Sequence, residues 1–322
     1  MRILICCPLA TGTSKNGRDL GAAFTALGHE VAYVDIDWRL PRFRLLPRAW
    51  RPDGWREQDD AAFNRLLLAR AQAFRPALFL SVKPLRLFPE TLHTLRRAGI
   101  RTAGYWIDDP LDFERSCRNA PHFEHYFTND RGSVARYAER GVAALHLPSA
   151  VDLTHFRPLA LPQRYPVSFV GTQGAYRQQI LARLGEPVHA FGPGWDKARG
   201  TAIVPHRPAF GPATARVYNQ SLVNLNIHNW QGQGGALNLR LFEVPACGRL
   251  LLTDWVDEIG DYFEPGEHLA VWRDEDGLRE QLARYRRDPA AAERIGQAGL
   301  AHVRAHHHYG VRCQAILQAI GS

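Results

Sequence analysis

Lysine is almost missing from this 322-residue chain. It stands only at Lys15, Lys83 and Lys197, so nearly all of the 40 basic residues are arginine. With one methionine and abundant alanine, this reads as GC-rich codon usage, and the net charge of +8 alone does not establish a nucleic-acid partner. No uninterrupted apolar run reaches the length of a bilayer-spanning helix. Cysteine is sparse, at positions 6, 7, 117, 247 and 313. No CxxC pair exists, and the odd count with Cys6 and Cys7 in an apolar stretch argues for buried free thiols in a reducing cytoplasm. The N-terminal MRILICCPLATG has too brief an apolar core for a leader and reads as a first buried strand. Also lacking are GxGxxG among Gly12, Gly17 and Gly21, the phosphate-loop pattern GxxxxGK[ST], and a GxSxG nucleophile elbow. Asp35, at the end of the second strand, is therefore a lone acid. His306–His308 are consecutive on a helical pattern and point in different directions, so no metal site is expected.

What is present is ordinary globular composition, 45% hydrophobic and 22% charged, with length for two domains. Strand-like and helix-like segments alternate. Strands are expected at Arg2–Cys7, Val31–Ile36, Ala77–Val82, Arg101–Ile107, Glu124–Thr128 and Ala143–Leu147. Helical stretches fall around Asp59–Phe74, Pro89–Ala98 and Arg131–Arg140. A proline-punctuated break at Pro148–Pro166 suits a linker. The alternation restarts with strands at Val167–Gly171, Val188–Phe191, Val223–His228 and Arg249–Thr253. Helices at Tyr176–Leu184, Ala213–Ser221 and Asn238–Cys247 intervene, and the chain is mostly helical from Glu275. The expectation is an α/β protein of two tandem doubly wound Rossmann-like domains. One segment, WRLPRFRLLPRAWRPDGWR at 38–56, breaks the rhythm, and its prolines oppose a regular amphipathic helix.

Ligands of open α/β sheets bind beyond the carboxyl ends of strands. After the strand ending at His228 comes a glycine-rich loop with Gly232, Gly234 and Gly235, then a helix expected to begin near Leu237. Its amino end suits a diphosphate, with Asn238 and Arg240 in the first turns and Glu243 able to accept from sugar hydroxyls. The same tract read without a ligand is a tight turn with solvated polar residues. Gly171, Thr172 and Arg177, in SFVGTQGAYR, face the same choice. Asp108 and Asp109, in YWIDDP, adjoin at a strand end. Paired carboxylates push one pKa upward, which suits a general base, and a helix cap is the other reading.

The stretch NLRLFEVPACGRLLLTDWVDEIGDYFEPGEHL at 238–269 resembles the donor core of GT-B glycosyltransferases, and more closely their CgeB-like, spore-maturation-protein-like branch. SVKPLRLFPETL at 81–92, YWIDDP at 105–110, FTNDRGSVARYAERGVAALHLPSAVDLTHFRP at 127–158, SFVGTQGAYR at 168–177 and VYNQSLVNLNIHN at 217–229 agree with it. The resemblance implies a cytoplasmic bacterial transferase of cell-surface glycan or protein glycosylation, without nucleic acid. It implies an acceptor domain at 1–155, a donor domain at 156–304, and a helix at 305–322 crossing back to the first. The co-substrate would be a nucleotide-diphospho-sugar, with no cofactor and no metal. The acceptor would be a hydroxyl of a glycan, a lipid-linked molecule or a protein, in the interdomain cleft. Donor residues would be Gly171, Thr172, Arg177, His228, Asn229, Gly234, Gly235, Asn238, Arg240 and Glu243, with Asp108 or Asp109 as base. Glu243 matches the second Glu of a paired-Glu motif. Gly235 stands at the first, so the resemblance assigns neither retention nor inversion. Two alternatives stay open: a sugar-nucleotide epimerase, and a non-catalytic sugar-nucleotide or glycan-binding protein on this fold. The Arg/aromatic segment 38–56 is a candidate for peripheral contact with the inner face of a membrane or another anionic partner.

Overall fold

The computed structural model describes residues 1–9, 15–198, 200, 202–228 and 237–321. The chain divides into two compact units, one of 1–148 with 309–322 and one of 149–308.

In unit 1 a six-stranded parallel sheet is built from β1 (Arg2–Cys7), β2 (Glu30–Asp35), β3 (Leu78–Val82), β4 (Arg101–Trp106), β5 (His125–Thr128) and β6 (Ala144–His146). Its order is β2-β1-β3-β4-β5-β6. Strands covered on both faces need continuous apolar runs rather than alternation. Ile3–Cys7 and Leu78–Val82 are accordingly buried throughout. The helix Trp55–Phe74 buries Asp59, Phe63, Leu67 and Ala71, one residue per turn along one face. The C-terminal helix Tyr309–Ala319 packs on the helix Asn16–Ala26, where the Cys313 Sγ lies 3.4 Å from the Leu20 carbonyl. All five cysteines are free, and Cys6, Cys7, Cys247 and Cys313 are buried.

The segment 38–56 is more structured than its prolines suggested. Pro41 opens a five-residue helix, Pro41–Leu45, at the one helical position where a missing N–H costs nothing, and a single 3-10 turn follows at Arg48–Trp50. The segment is tied down at its start. The buried Asp59 accepts from the Leu40 N–H at 2.7 Å and pairs with Arg86 at 2.8 Å and Arg39 at 3.3 Å. Arg86 also donates to the Ile36 and Trp38 carbonyls.

Unit 2 holds the second six-stranded parallel sheet: β7 (Tyr165–Val170), β8 (Val188–Phe191), β9 (Ile203–His206), β10 (Ser221–Asn226), β11 (Leu250–Asp254) and β12 (Ala270–Trp272). The order is β12-β11-β10-β7-β8-β9. Strands β9 and β12 were not anticipated. The first carries Pro205 at a sheet edge, and the second is only three residues long. Chain order reverses between β7 and β10, which pair in parallel with Val223 beside Val167 and Leu225 beside Phe169. The carboxyl ends of these two strands therefore flank the crevice where a doubly wound sheet receives ligands.

Candidate functional site

Two arginines occupy this switch point. Arg177, in the helix Ala175–Ala182 after β7, sends its Nε to the Ile227 carbonyl at 3.0 Å and its Nη1 to the Thr172 carbonyl at 2.9 Å. It thus laces the chain after β7 to the chain after β10. Arg240, at the start of the helix Arg240–Ala246, sends its Nε to the Asn226 side-chain oxygen at 2.5 Å and its Nη1 to the Val170 carbonyl at 3.1 Å. It crosses the same gap in the opposite direction. Both guanidinium groups lie over the Phe169 ring, at 5.4 and 5.9 Å from its centroid.

Neither arginine has an ion-pair partner among the described residues, and the Nη2 of each has no hydrogen-bond acceptor among them. Burial lowers the Arg177 pKa to about 10, and repulsion from Arg240 adds to the effect. The Asp254 carboxylate offsets only part of that repulsion, so the two neighbouring cations leave a local positive potential that an anion placed there would relieve. The glycine at 171 makes room for this arrangement. A Cβ there would press on the Arg240 Nη1 at 3.2 Å and on the Phe169 ring. Gly192 has φ +156°, and its own Cβ would collide with the Gly171 carbonyl, which also accepts from the Trp195 indole at 2.7 Å.

On the β10 side, His228 is buried. Its backbone N–H reaches both oxygens of Asp254 at 3.0 and 2.8 Å, and its Nδ1 lies 2.7 Å from Oδ1. The carboxylate fixes the ring and leaves Nε2 buried without a partner among the described residues. Asn238 spans Asn226, to which its amide donates at 3.2 Å, and the Arg240 N–H, from which its oxygen accepts at 3.1 Å, in a turn leading into the helix. That helix begins at Arg240 rather than near Leu237, and its seven residues make its dipole a minor contributor. Glu243 sits in its first turn, half-buried, and accepts from the Tyr218 hydroxyl at 3.2 Å.

Gly171, Thr172, Arg177, His228, Asn238 and Arg240 are therefore gathered at the carboxyl ends of β7 and β10, and Glu243 lies one turn further along the Arg240–Ala246 helix. Thr172 contributes its carbonyl, and its side chain is exposed. Asn229, Gly234 and Gly235 lie outside the described residues. Sequence reasoning missed Asp254, Asn226 and Phe169. Asp254 ends β11 beside β10, and an acid at the carboxyl end of a buried strand was the available signal.

In unit 1 the adjacent aspartates at the end of β4 separate into different environments. Asp108 is 41% exposed and forms an ion pair with Lys83, the residue after β3. Asp109 is 3% exposed. Its Oδ2 accepts from the Thr128 hydroxyl at 2.6 Å and the Tyr137 hydroxyl at 2.9 Å, and its Oδ1 is buried without a partner among the described residues. Its pKa is pushed up to about 6, with burial as the main cause and Asp130 adding to it. The expected cause, repulsion from Asp108, is not the operative one. A buried carboxyl with a raised pKa binds a proton in the folded state that the unfolded chain has released. Stability therefore falls as pH rises from about 4 to 6, by on the order of 3 kcal/mol in all. Asp109→Asn should then melt at higher temperature than the wild type at pH 8, with the gap narrowing toward pH 4. Equal melting temperatures at pH 8 would contradict this.

The histidines near the C-terminus are engaged with the chain. His302 lies 2.6 Å from the Tyr262 carbonyl, and the His307 Nε2 lies 3.2 Å from both that carbonyl and the His302 Nε2. Among the described residues no group of three His, Cys, Asp or Glu side chains could hold a metal ion.

Residues 176–318 match the family model described as Glycosyl transferase-like. Among solved structures, the chain is similar to sucrose-phosphate synthase from Thermosynechococcus elongatus (TM-score 0.72, 15% identity, covering 99% of this chain and 98% of that one). The chain has the two-domain α/β fold of GT-B glycosyltransferase structures. A glycosyltransferase from Rickettsia africae is similar at TM-score 0.69 and 10% identity, covering 99% of this chain and 97% of that one. HepE from Anabaena, solved in complex with UDP, is similar at TM-score 0.68 and 10% identity, covering 99% of both chains. No curated protein matches the sequence.

Proposed function

We propose that the protein transfers a sugar from a nucleotide-diphospho-sugar to an acceptor hydroxyl, as an enzyme of the CgeB-like branch. The observation that carries this is the pair of guanidinium groups without an ion-pair partner among the described residues at the β7/β10 switch point, inside the segment matched to the glycosyl transferase-like family. The HepE complex with UDP supports a uridine diphosphate donor.

In the proposed reaction the acceptor oxygen bonds to the anomeric carbon. The bond from that carbon to the β-phosphate oxygen breaks, and its electron pair leaves on the nucleoside diphosphate. Arg177 and Arg240 stabilise the leaving charge through Nη2 donors already held in place, so no reorganisation is required during the reaction. A metal ion is not assigned a part in that stabilisation. Glu243 accepts the ribose hydroxyls, and the buried His228 Nε2 is the polar atom left for the sugar or phosphate. Asp108 takes the acceptor proton, because a base must reach its substrate and Asp109 is enclosed. The acceptor is a glycan, lipid-linked or protein hydroxyl.

The test combines donor turnover with binding. UDP-glucose and other nucleotide-sugars should be cleaved to the nucleoside diphosphate, faster when an acceptor is present, and at an unchanged rate in EDTA. Glu243→Gln should raise the donor KM about tenfold or more, as expected for losing a hydrogen bond to a charged group, with the melting temperature unchanged. Product that retains the sugar on the nucleotide with an inverted carbon would point to epimerisation instead. Donor binding with no cleavage would point to a binding protein.

A further inference from the structure

The segment 38–56, which the proposed reaction does not use, carries six arginines and one acid between positions 39 and 56. Arg39 is consumed by Asp59. Arg42, Arg44, Arg51 and Arg56, and the nearby Arg65, have no ion-pair partner among the described residues. The Arg42 guanidinium lies 4.7 Å from the Phe43 ring, and that of Arg51 lies 4.5 Å from the Trp55 ring. Beside these charges stand apolar side chains that the fold leaves uncovered. Leu45 is 83% exposed, Trp50 is 74% exposed, and Leu46 is also exposed. An open cavity of about 630 Å³ is lined by Leu40, Pro41, Arg42, Gln58, Ala61 and Arg65. Arg42 is held over it by the Gln58 side chain at 2.8 Å.

We propose that this face of unit 1 docks onto an anionic lipid bilayer. Exposed arginines suit a negative surface, and an exposed tryptophan suits the headgroup region. The two leucines decide against a nucleic acid, since aliphatic side chains have no stacking or phosphate partner there but gain by entering the acyl boundary. The cavity between Arg42 and Arg65 can receive a lipid phosphate. Contact is peripheral, because no described helix is long and apolar enough to cross a membrane. This inference stands apart from the proposed reaction and would survive its failure.

The full chain is sedimented with phosphatidylcholine vesicles, with and without phosphatidylserine, at low and high salt. Binding is expected only with phosphatidylserine and should weaken at high salt. Replacing Arg42, Arg44 and Arg51 with Gln should lower the partition coefficient about a hundredfold, since each basic residue contributes about fivefold near such a surface. Brominated lipid should quench part of the wild-type fluorescence, and that part should be lost in Trp50→Phe. These side chains are exposed or surface-facing, so an unchanged melting temperature will certify that the variants are folded. No phosphatidylserine dependence, equal binding by the triple variant, or quenching retained in Trp50→Phe would each overturn the proposal. Equal binding to soluble heparin, insensitive to Leu45→Ser and Trp50→Ser, would replace the bilayer with a soluble polyanion.

Discussion

Arg240→Gln is expected to weaken nucleoside diphosphate binding about a hundredfold without unfolding the protein. A charge-assisted hydrogen bond to phosphate contributes about 1.5–3 kcal/mol, and the loss of long-range attraction adds to it. The substitution also removes two bonds, to the Val170 carbonyl and the Asn226 side chain. Against that, it relieves the repulsion that lowers the Arg177 pKa. The two effects oppose, so the melting temperature should move little. Arg240→Lys should be intermediate, because an ammonium keeps the charge but cannot hold both strand ends and a phosphate at once. Arg177→Gln should lose affinity similarly but also melt lower, since it leaves the buried Ile227 carbonyl without its donor. Calorimetric titration with the diphosphate checks all three. Affinity within threefold of wild type in both Gln variants would remove the arginines from the donor site.

Asp108→Asn should reduce kcat by roughly 10²–10⁴-fold while sparing the donor KM, as expected for loss of a general base. Breaking its exposed pair with Lys83 should cost little stability. Asp109→Asn should retain activity within tenfold, because its carboxyl is spent on Thr128 and Tyr137. The two neighbours thus give opposite outcomes in one assay. A large kcat loss in Asp109→Asn with none in Asp108→Asn would reverse the assignment.

The parallel architecture was legible because doubly buried strands such as Arg2–Cys7 and Leu250–Asp254 are written as apolar runs. Short edge strands carry little such signal, which is why Ile203–His206 and Ala270–Trp272 escaped. The candidate site was partly legible, since Arg177, His228, Arg240 and Glu243 follow strand ends. Their partners were not. Asp254 meets His228 only through the β10–β11 register, where Asn226 stands beside Thr253. The unlike fates of Asp108 and Asp109 depend on Thr128 and Tyr137, distant in sequence and brought in by β5 and the helix Arg131–Glu139.

We expect the β7/β10 switch point of unit 2 to receive a nucleoside diphosphate. Calorimetric titration of the wild-type chain with UDP, GDP, ADP and dTDP, each beside its monophosphate, tests it directly. At least one diphosphate should bind, more tightly than its monophosphate because two guanidinium groups await the second phosphate, and the preference should vanish in Arg240→Gln. Binding of no diphosphate, or equal binding of diphosphate and monophosphate, would contradict the account.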